Sequence, residues 1–220
     1  MASGAPAKLD LKKQLKHLYL PSAKECVLVQ VPEMQFVMID GRIESGLMPG
    51  DSPDFAVAIG ALYGASYTLK FMSKKRVENP IDYTVMALEG LWTTPEGGAD
   101  YTTSDQWLWT LMMMQPDQIT GDMFAEAIEQ LRAKRAKEKA DTQPLDRLRL
   151  ERFEEGLCVQ VMHIGPYAGE PATLQRMEEF AGQHGYQFRG RHHEIYLGDP
   201  RRADPAKLKT VLRHPIEKIS

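Results

Sequence analysis

The stretch Arg191-His192-His193-Glu194-Ile195-Tyr196-Leu197-Gly198-Asp199-Pro200 alternates, and its alternation decides how the rest of the chain is read. Extended, it puts His192, Glu194 and Tyr196 on one side and His193, Ile195 and Leu197 on the other. Ile195 and Leu197 suit a core. The opposite side sets a carboxylate two residues from a phenol. Glutamate in mid-strand is unusual, because strands disfavour it and a buried charge needs compensation. For a lone strand glutamate, one solvated face of an antiparallel sheet is the commoner explanation.

A second stretch repeats the pattern. In Asp82-Tyr83-Thr84-Val85-Met86-Ala87-Leu88-Glu89-Gly90-Leu91-Trp92, Glu89 is again mid-strand and an aromatic follows closely. Alternation places Tyr83, Val85 and Ala87 with the glutamate and Met86 and Leu88 opposite. If the two strands are equivalent elements of a duplicated fold, Glu89 and Glu194 face one shared space.

The sequence around these strands supports duplication. Leu9, Leu11, Leu15, Leu18 and Tyr19 among lysines predict a short amphipathic helix that Pro21 ends. Residues 25–31 and 34–39 read as strands broken at Pro32, and Asp40-Gly41 as a turn. Ser52-Pro53 opens a helix with the stripe Phe55, Ile59, Leu62 and Tyr63. After the Glu89 strand, Thr94 to Thr103 is a loop and Gln106 to Met114 a strand. A helix runs from Thr120 to about Lys139, and its basic end, Arg132 to Lys137, suits the helix dipole in solvent. The second half runs in the same order: a strand from Cys158 to Ile164, a turn at Gly165-Pro166-Tyr167, a helix opened by Glu170-Pro171, the Glu194 strand, and a last strand from Lys207 to His214. The expected organisation is an N-terminal helical segment, residues 1–25, followed by two βαββ modules at about 26–140 and 150–220.

Composition narrows the functional classes. The chain has 220 residues, 43% of them hydrophobic and 26% charged, which is ordinary for a globular protein. A net charge of −3 gives no global electrostatic case for nucleic acid. No run of about 18 apolar residues predicts a membrane span, and no secretory signal is apparent. Cys26 and Cys158 stand far apart in apolar runs without a CxxC neighbour, which predicts buried thiols in a reducing cytoplasm. Adjacent His192 and His193 point to opposite sides of a strand, so a metal site with His163 and His214 is not expected. No phosphate loop, GxSxG or HExxH motif occurs, and no cofactor is implied.

The pieces Val161-Met162-His163-Ile164-Gly165-Pro166-Tyr167, Glu170-Pro171-Ala172-Thr173, Arg191 to Leu197 and Leu208 to Pro215 together resemble the GyrI-like small-molecule-binding family, most of all its stand-alone bacterial branch. Leu88 to Trp92 and Trp107 to Pro116 add to the likeness, which runs from about Lys8 to the end. The resemblance implies an α+β fold of two βαββ modules about a pseudo-twofold axis, with a ligand groove between them. Relatives fused to helix-turn-helix regulators sense cationic, aromatic drugs through a buried glutamate and stacking aromatics, and others are linked to gyrase inhibition. Residues 1–25 hold one helix at most, so the regulator branch is not expected. The stand-alone branch includes proteins similar to cyclopropanoid hydrolases, which open the strained ring of DNA-alkylating compounds. By position Glu194 matches the family's central glutamate.

These residues suit that chemistry. Opening a cyclopropane conjugated to a dienone needs a base for water and a donor for the developing phenolate. Two carboxylates in an aromatic groove divide those roles, because burial and repulsion push their pKa values apart. Glu194 is the expected base, Glu89 its partner and Tyr167 a further donor. Trp92, Tyr196, Trp109, Trp107, Tyr83, Tyr101, Met112, His163 and Tyr63 are the candidate ligand-binding residues, flat or adaptable side chains that fit planar or cationic small molecules. Core packing is the competing explanation for the tryptophans, and a structural role the competing one for His163. A non-catalytic binder of cationic or aromatic drugs is the alternative function.

Overall fold

The structure is a computed structural model, and it describes residues 6–95 and 107–219. The chain opens with a short strand β1 (Ala7–Leu9), then two helical turns, α1 (Leu11–Gln14) and α2 (Lys16–Tyr19). Strands β2 (Val27–Val31) and β3 (Met34–Arg42) follow, then α3 (Pro53–Lys75), β4 (Ile81–Tyr83), β5 (Leu88–Thr93), β6 (Leu108–Gln115) and α4 (Gly121–Lys137). The second half holds β7 (Arg149–Phe153), β8 (Gly156–Ile164), α5 (Glu170–Gln183), β9 (Tyr186–Phe188), β10 (His192–Tyr196) and β11 (Lys209–Lys218). The helix starts follow the sequence: Ser52 Oγ accepts from the Phe55 amide at 3.2 Å with Pro53 behind it, and Thr120 Oγ1 accepts from the Met123 amide at 3.2 Å.

The main sheet runs β2-β8-β11-β10-β5-β6-β3-β7, all antiparallel, with β9 added against β11. Each half therefore carries the expected βαββ order, β3-α3-β5-β6 and β8-α5-β10-β11, and in each the first strand pairs with the last. The halves join at β5 and β10.

The two ends of the sheet must approach each other. Only Pro32 and Glu33 separate β2, at one end, from β3, next to the other, and three Cα steps span at most about 11 Å. One register runs through both end ladders: Val27 faces Gln160, Val31 faces Gly156, Met34 faces Phe153 and Met38 faces Arg149. Residues 27–42 and 149–164 thus form one long ribbon, bent where Pro32 lacks an amide hydrogen and Gly156 takes φ +78°. The sheet curls into a trough with an inner and an outer face.

The inner face is lined by Phe36, Met38, Leu91, Met112, Met114, Cys158, Met162, Ile195 and Val211, and the N-terminal segment fills it with Leu11, Leu18 and Tyr19. Burying Leu18 completely is worth about 2–3 kcal/mol. β1 pairs in parallel with β4, a strand that the expected single helix did not anticipate. Buried polar groups anchor the segment. Arg213 donates to the Leu18 carbonyl at 2.7 Å, Gln160 to the His17 carbonyl at 2.6 Å, and the Tyr19 hydroxyl to Glu89 at 2.7 Å. His193 lies between two carboxylates, Nε2 3.0 Å from Glu89 and Nδ1 3.0 Å from Glu155, and Arg213 donates to Glu155 at 3.2 Å. Ionised carboxylates only accept, so both imidazole nitrogens donate and His193 is a cation. Two acids and two bases then balance.

The outer face carries the longer helices. α3 packs on β3, β6 and α4, and α5 on β8 and β9. By length and composition α3 is also apolar enough to cross a membrane, yet Ala58, Ala61, Leu62, Ala65 and Leu69 are fully buried in this core. The Asp40-Gly41 turn is not formed: β3 continues through it. Glycine is needed there because a Cβ would lie 2.2 Å from the Trp109 ring.

Candidate functional site

Because α3 covers one side of the outer face and α5 the other, the outer face of β5 and β10 forms the floor of a groove between them. The register sets Glu194 opposite Gly90, His192 opposite Trp92 and Tyr196 opposite Leu88. Trp92 Nε1 donates to Tyr196 Oη at 3.0 Å. That bond passes directly over Gly90, whose missing Cβ would lie 2.8 Å from Trp92 Nε1 and 3.1 Å from Tyr196 Oη. The Tyr196 hydroxyl is pushed well above its ordinary pKa by burial and by the charge and hydrogen bond of Glu194. His192 Nε2 lies 3.5 Å from Glu194 Oε1.

The groove holds a second carboxylate. Glu170, the first residue of α5, is only 7% exposed, and its Oε1 has no hydrogen-bond partner among the described residues. Burial first, then the charge of Glu194, push its pKa up to about 9, against a smaller opposing effect of the Thr210 hydroxyl. At neutral pH Glu170 is therefore a neutral acid beside a charged carboxylate, the division that general acid–base chemistry needs. Tyr167 stands at the mouth, edge-on to Tyr196 with ring centroids 6.0 Å apart. Burial, Glu194 and Glu170 raise its hydroxyl to about 12, so it remains a donor.

His163 sets the turn that carries Tyr167 and Glu170. Its Nε2 faces the Pro166 carbonyl at 3.2 Å and its Nδ1 the Thr173 hydroxyl at 2.9 Å. A carbonyl only accepts, so Nε2 bears the proton and Nδ1 accepts from Thr173. Both nitrogens are engaged by the protein, which makes His163 a support of the turn.

The aromatic wall on the α3 side is assembled from the first half. Trp92 packs on Phe55 at 5.5 Å and on Trp107 at 6.3 Å, and Phe55 meets Trp109 edge-on at 5.4 Å. Trp109 itself is buried over Gly41. On α3, Tyr63 stacks on Tyr67 at 6.4 Å and lies within electrostatic reach of Asp199 and Arg201 in the loop after β10.

Several expectations need correction. Glu89 does not share the groove: Ile195 is its cross-strand partner, so it points to the inner face, where it is fully buried against Tyr19 and His193. Val85 and Ala87 precede β5, and the irregular stretch after β4 breaks the alternation that placed Glu89. Met112 pairs with Glu89 and also faces inward. Tyr83 is buried in the core beneath α3, its hydroxyl donating to Gln115 at 3.1 Å. Tyr101 lies outside the described residues. The acid that the sequence did not single out is Glu170, since a glutamate in the first turn of a helix is ordinary dipole chemistry.

A curled α+β sheet with an aromatic, acid-floored groove between its helices defines a small-molecule-binding fold. The model of the GyrI-like small molecule binding domain matches residues 24–217, and the chain belongs to that family. It is similar to an uncharacterized conserved protein from Listeria innocua, at 39% identity and TM-score 0.83, covering 95% of this chain and 100% of that one. A hydrolase from Listeria innocua is similar at 38% identity and TM-score 0.80, with the same coverage. The C-terminal domain of EcmrR, 12% identical with TM-score 0.51 over 89% of this chain and 98% of that one, shares the fold. A comparison with curated proteins finds no match.

Proposed function

We propose that the protein is a hydrolase that opens cyclopropanoid-type, DNA-alkylating electrophiles in the groove, with Glu170 taking the part first expected of Glu89. The reading is carried by one observation: a buried neutral acid, Glu170, beside a charged carboxylate, Glu194, under aromatic walls. The 38% identity with the Listeria hydrolase over its whole length supports it. In this scheme Glu194 takes a proton from water as the water oxygen bonds to the ring carbon. The cyclopropane C–C bond breaks, and its electrons pass through the dienone to the oxygen. Glu170, helped by the Tyr167 hydroxyl, gives that oxygen a proton, so the product has gained one water. The proton on Glu194 then passes to Glu170 and restores the pair.

Incubation with a duocarmycin-type compound tests the scheme. Turnover beyond one equivalent is expected, and Glu194→Gln and Glu170→Gln should each lose about 10²- to 10⁴-fold in rate. Stoichiometric depletion without turnover would favour the second reading, a binder that sequesters cationic or aromatic drugs, for which the single negative charge inside the aromatic walls is the supporting feature.

A further inference from the structure

Helix α3 is apolar on its solvent side as well as on its core side. Ala56, Gly60, Tyr63, Tyr67 and Phe71 are all exposed and follow one another at steps of three and four, so they form one stripe along the helix. Tyr67 is 48% exposed and Phe71 50%. This side, added to the buried one, makes α3 as apolar as a membrane span. A surface helix of a globular protein turns charges outward, and a helix apolar all round is covered. Gly60 has no purpose within the chain. A Cβ there would meet nothing nearer than Arg135 Nη2, at 4.0 Å, and a glycine in mid-helix weakens the helix. Gly64, one turn on, differs, because a Cβ there would meet Leu131 of α4 at 3.0 Å. The bare backbone at Gly60 suits a neighbour pressed onto the stripe.

We propose that a second copy of this chain covers the stripe, α3 lying antiparallel on α3 about a twofold axis that passes between Tyr63 and Gly64. The pairing stands apart from the chemistry of the groove. Small residues occupy the first half of the stripe and large ones the second, so the stripe fits itself when run the other way. Tyr67 of each copy lies over Gly60 of the other, and Phe71 over Ala56, which is the reciprocal contact a twofold axis demands. Small residues at the crossing let the helix axes approach to about 8 Å. Arg135, beside Gly60, offers the incoming Tyr67 ring a cation. Charge is complementary as well. Asp51 at the head of α3, and Lys75 and Arg76 at its tail, have no ion-pair partner among the described residues. Antiparallel copies bring each head beside the other's tail. Met48 and Val77, the most exposed large apolar side chains among the described residues, lie just beyond the same two ends.

Sedimentation equilibrium of the full chain tests this. The expected result is a monomer–dimer equilibrium with a dissociation constant of about 1–100 μM, as a modest interface gives. Phe71→Lys and Gly60→Gln should each weaken the dimer about tenfold or more. Both positions are exposed in the single chain, so circular dichroism should show the wild-type fold in each variant. Asp51→Lys should weaken the dimer about threefold, and adding Lys75→Glu and Arg76→Glu to it should restore the wild-type constant. Absence of that rescue overturns the antiparallel register. A chain that stays monomeric at about 1 mM overturns the pairing. So does a dimer indifferent to Phe71→Lys and Gly60→Gln, which must pair through another surface. A monomer that sediments with phosphatidylglycerol vesicles, and no longer does so as Phe71→Lys, overturns it too and gives the stripe to a membrane surface.

Discussion

Glu89 and Glu194 project from paired strands to opposite faces of one sheet, because Ile195, not Glu194, stands across from Glu89. The two acids therefore do different work. Glu89 closes a balanced inner network with Tyr19 and His193, and removing its charge leaves Glu155 alone to balance His193 and Arg213 in the core. Breaking a buried pair from one side costs about 3–5 kcal/mol. Glu89→Gln should lower stability by about 3 kcal/mol or more in urea unfolding. Glu194→Gln, on the half-buried groove floor, should stay within about 1 kcal/mol of wild type and lose ligand chemistry instead. Equal urea midpoints for the two variants would sink this division.

The inner network also fixes a pH window. Burial alone would lower the His193 pKa, but Glu155 and Glu89 more than offset it and the value is raised. Its stabilisation is complete below the ordinary histidine value near 6.5 and is lost as pH rises through the folded value. Glu155 is the reverse. Burial alone would raise it, but His193 and Arg213 bring it from 4.5 down to about 2. Its contribution, on the order of 3 kcal/mol, is present above 4.5 and lost as pH falls towards 2. Both are whole only between about pH 4.5 and 6.5. A urea midpoint followed across pH should peak there, and His193→Gln should flatten the alkaline limb.

Glu170 acts on stability with the opposite sign from Glu155. Its folded pKa, about 9, lies above the ordinary 4.5, so the unfolded chain gives up this proton first and stability drains as pH rises from 4.5 to 9. Near pH 7 the cost is on the order of 3 kcal/mol. Glu170→Gln removes it, so the variant should be more stable than wild type at pH 8, match it near pH 4.5, and be slower in catalysis. Wild-type stability at pH 8 in this variant would mean that Glu170 is ionised in the folded protein.

The Ser52 and Thr120 caps, the Pro-opened helices and the repeated βαββ order were legible because local rules determine them. The partnership of the two glutamates was not, because it hangs on parity. A shift of one residue in pairing moves a side chain to the other face, and the irregular residues before β5 reset the count for Glu89. Glu170 was hidden by its context, since nothing local distinguishes a first-turn acid that faces solvent from one folded under a carboxylate. Glu155 was hidden in the same way, in a Glu154-Glu155-Gly156 run at the bend of the long ribbon where Glu155 alone is buried.

Gly90 offers a test of the groove floor that leaves both acids in place. Its φ is not positive, so alanine suits the backbone. The added methyl meets Trp92 Nε1 at 2.8 Å, closer than real contacts allow, and must separate the indole from the Tyr196 hydroxyl. Overpacking of this kind costs about 1–3 kcal/mol. Gly90→Ala should fold, shift the tryptophan fluorescence and weaken binding of planar ligands. Unchanged ligand affinity would place the binding surface elsewhere.

The N-terminal segment lies mostly ahead of residues 24–217, where the family model matches, yet the inner face is incomplete without it. Deleting residues 1–20 uncovers Phe36, Met112 and Ile195 and removes the Leu18 carbonyl from Arg213, the His17 carbonyl from Gln160 and the Tyr19 hydroxyl from Glu89. Arg213 and Glu89 would then face a vacated apolar trough as charges short of partners, several kcal/mol against a total stability of about 5–15. The truncated chain should lose cooperative unfolding and bind a hydrophobic dye such as ANS. A truncated protein with the wild-type urea midpoint would show that the segment is dispensable and that the trough closes by itself.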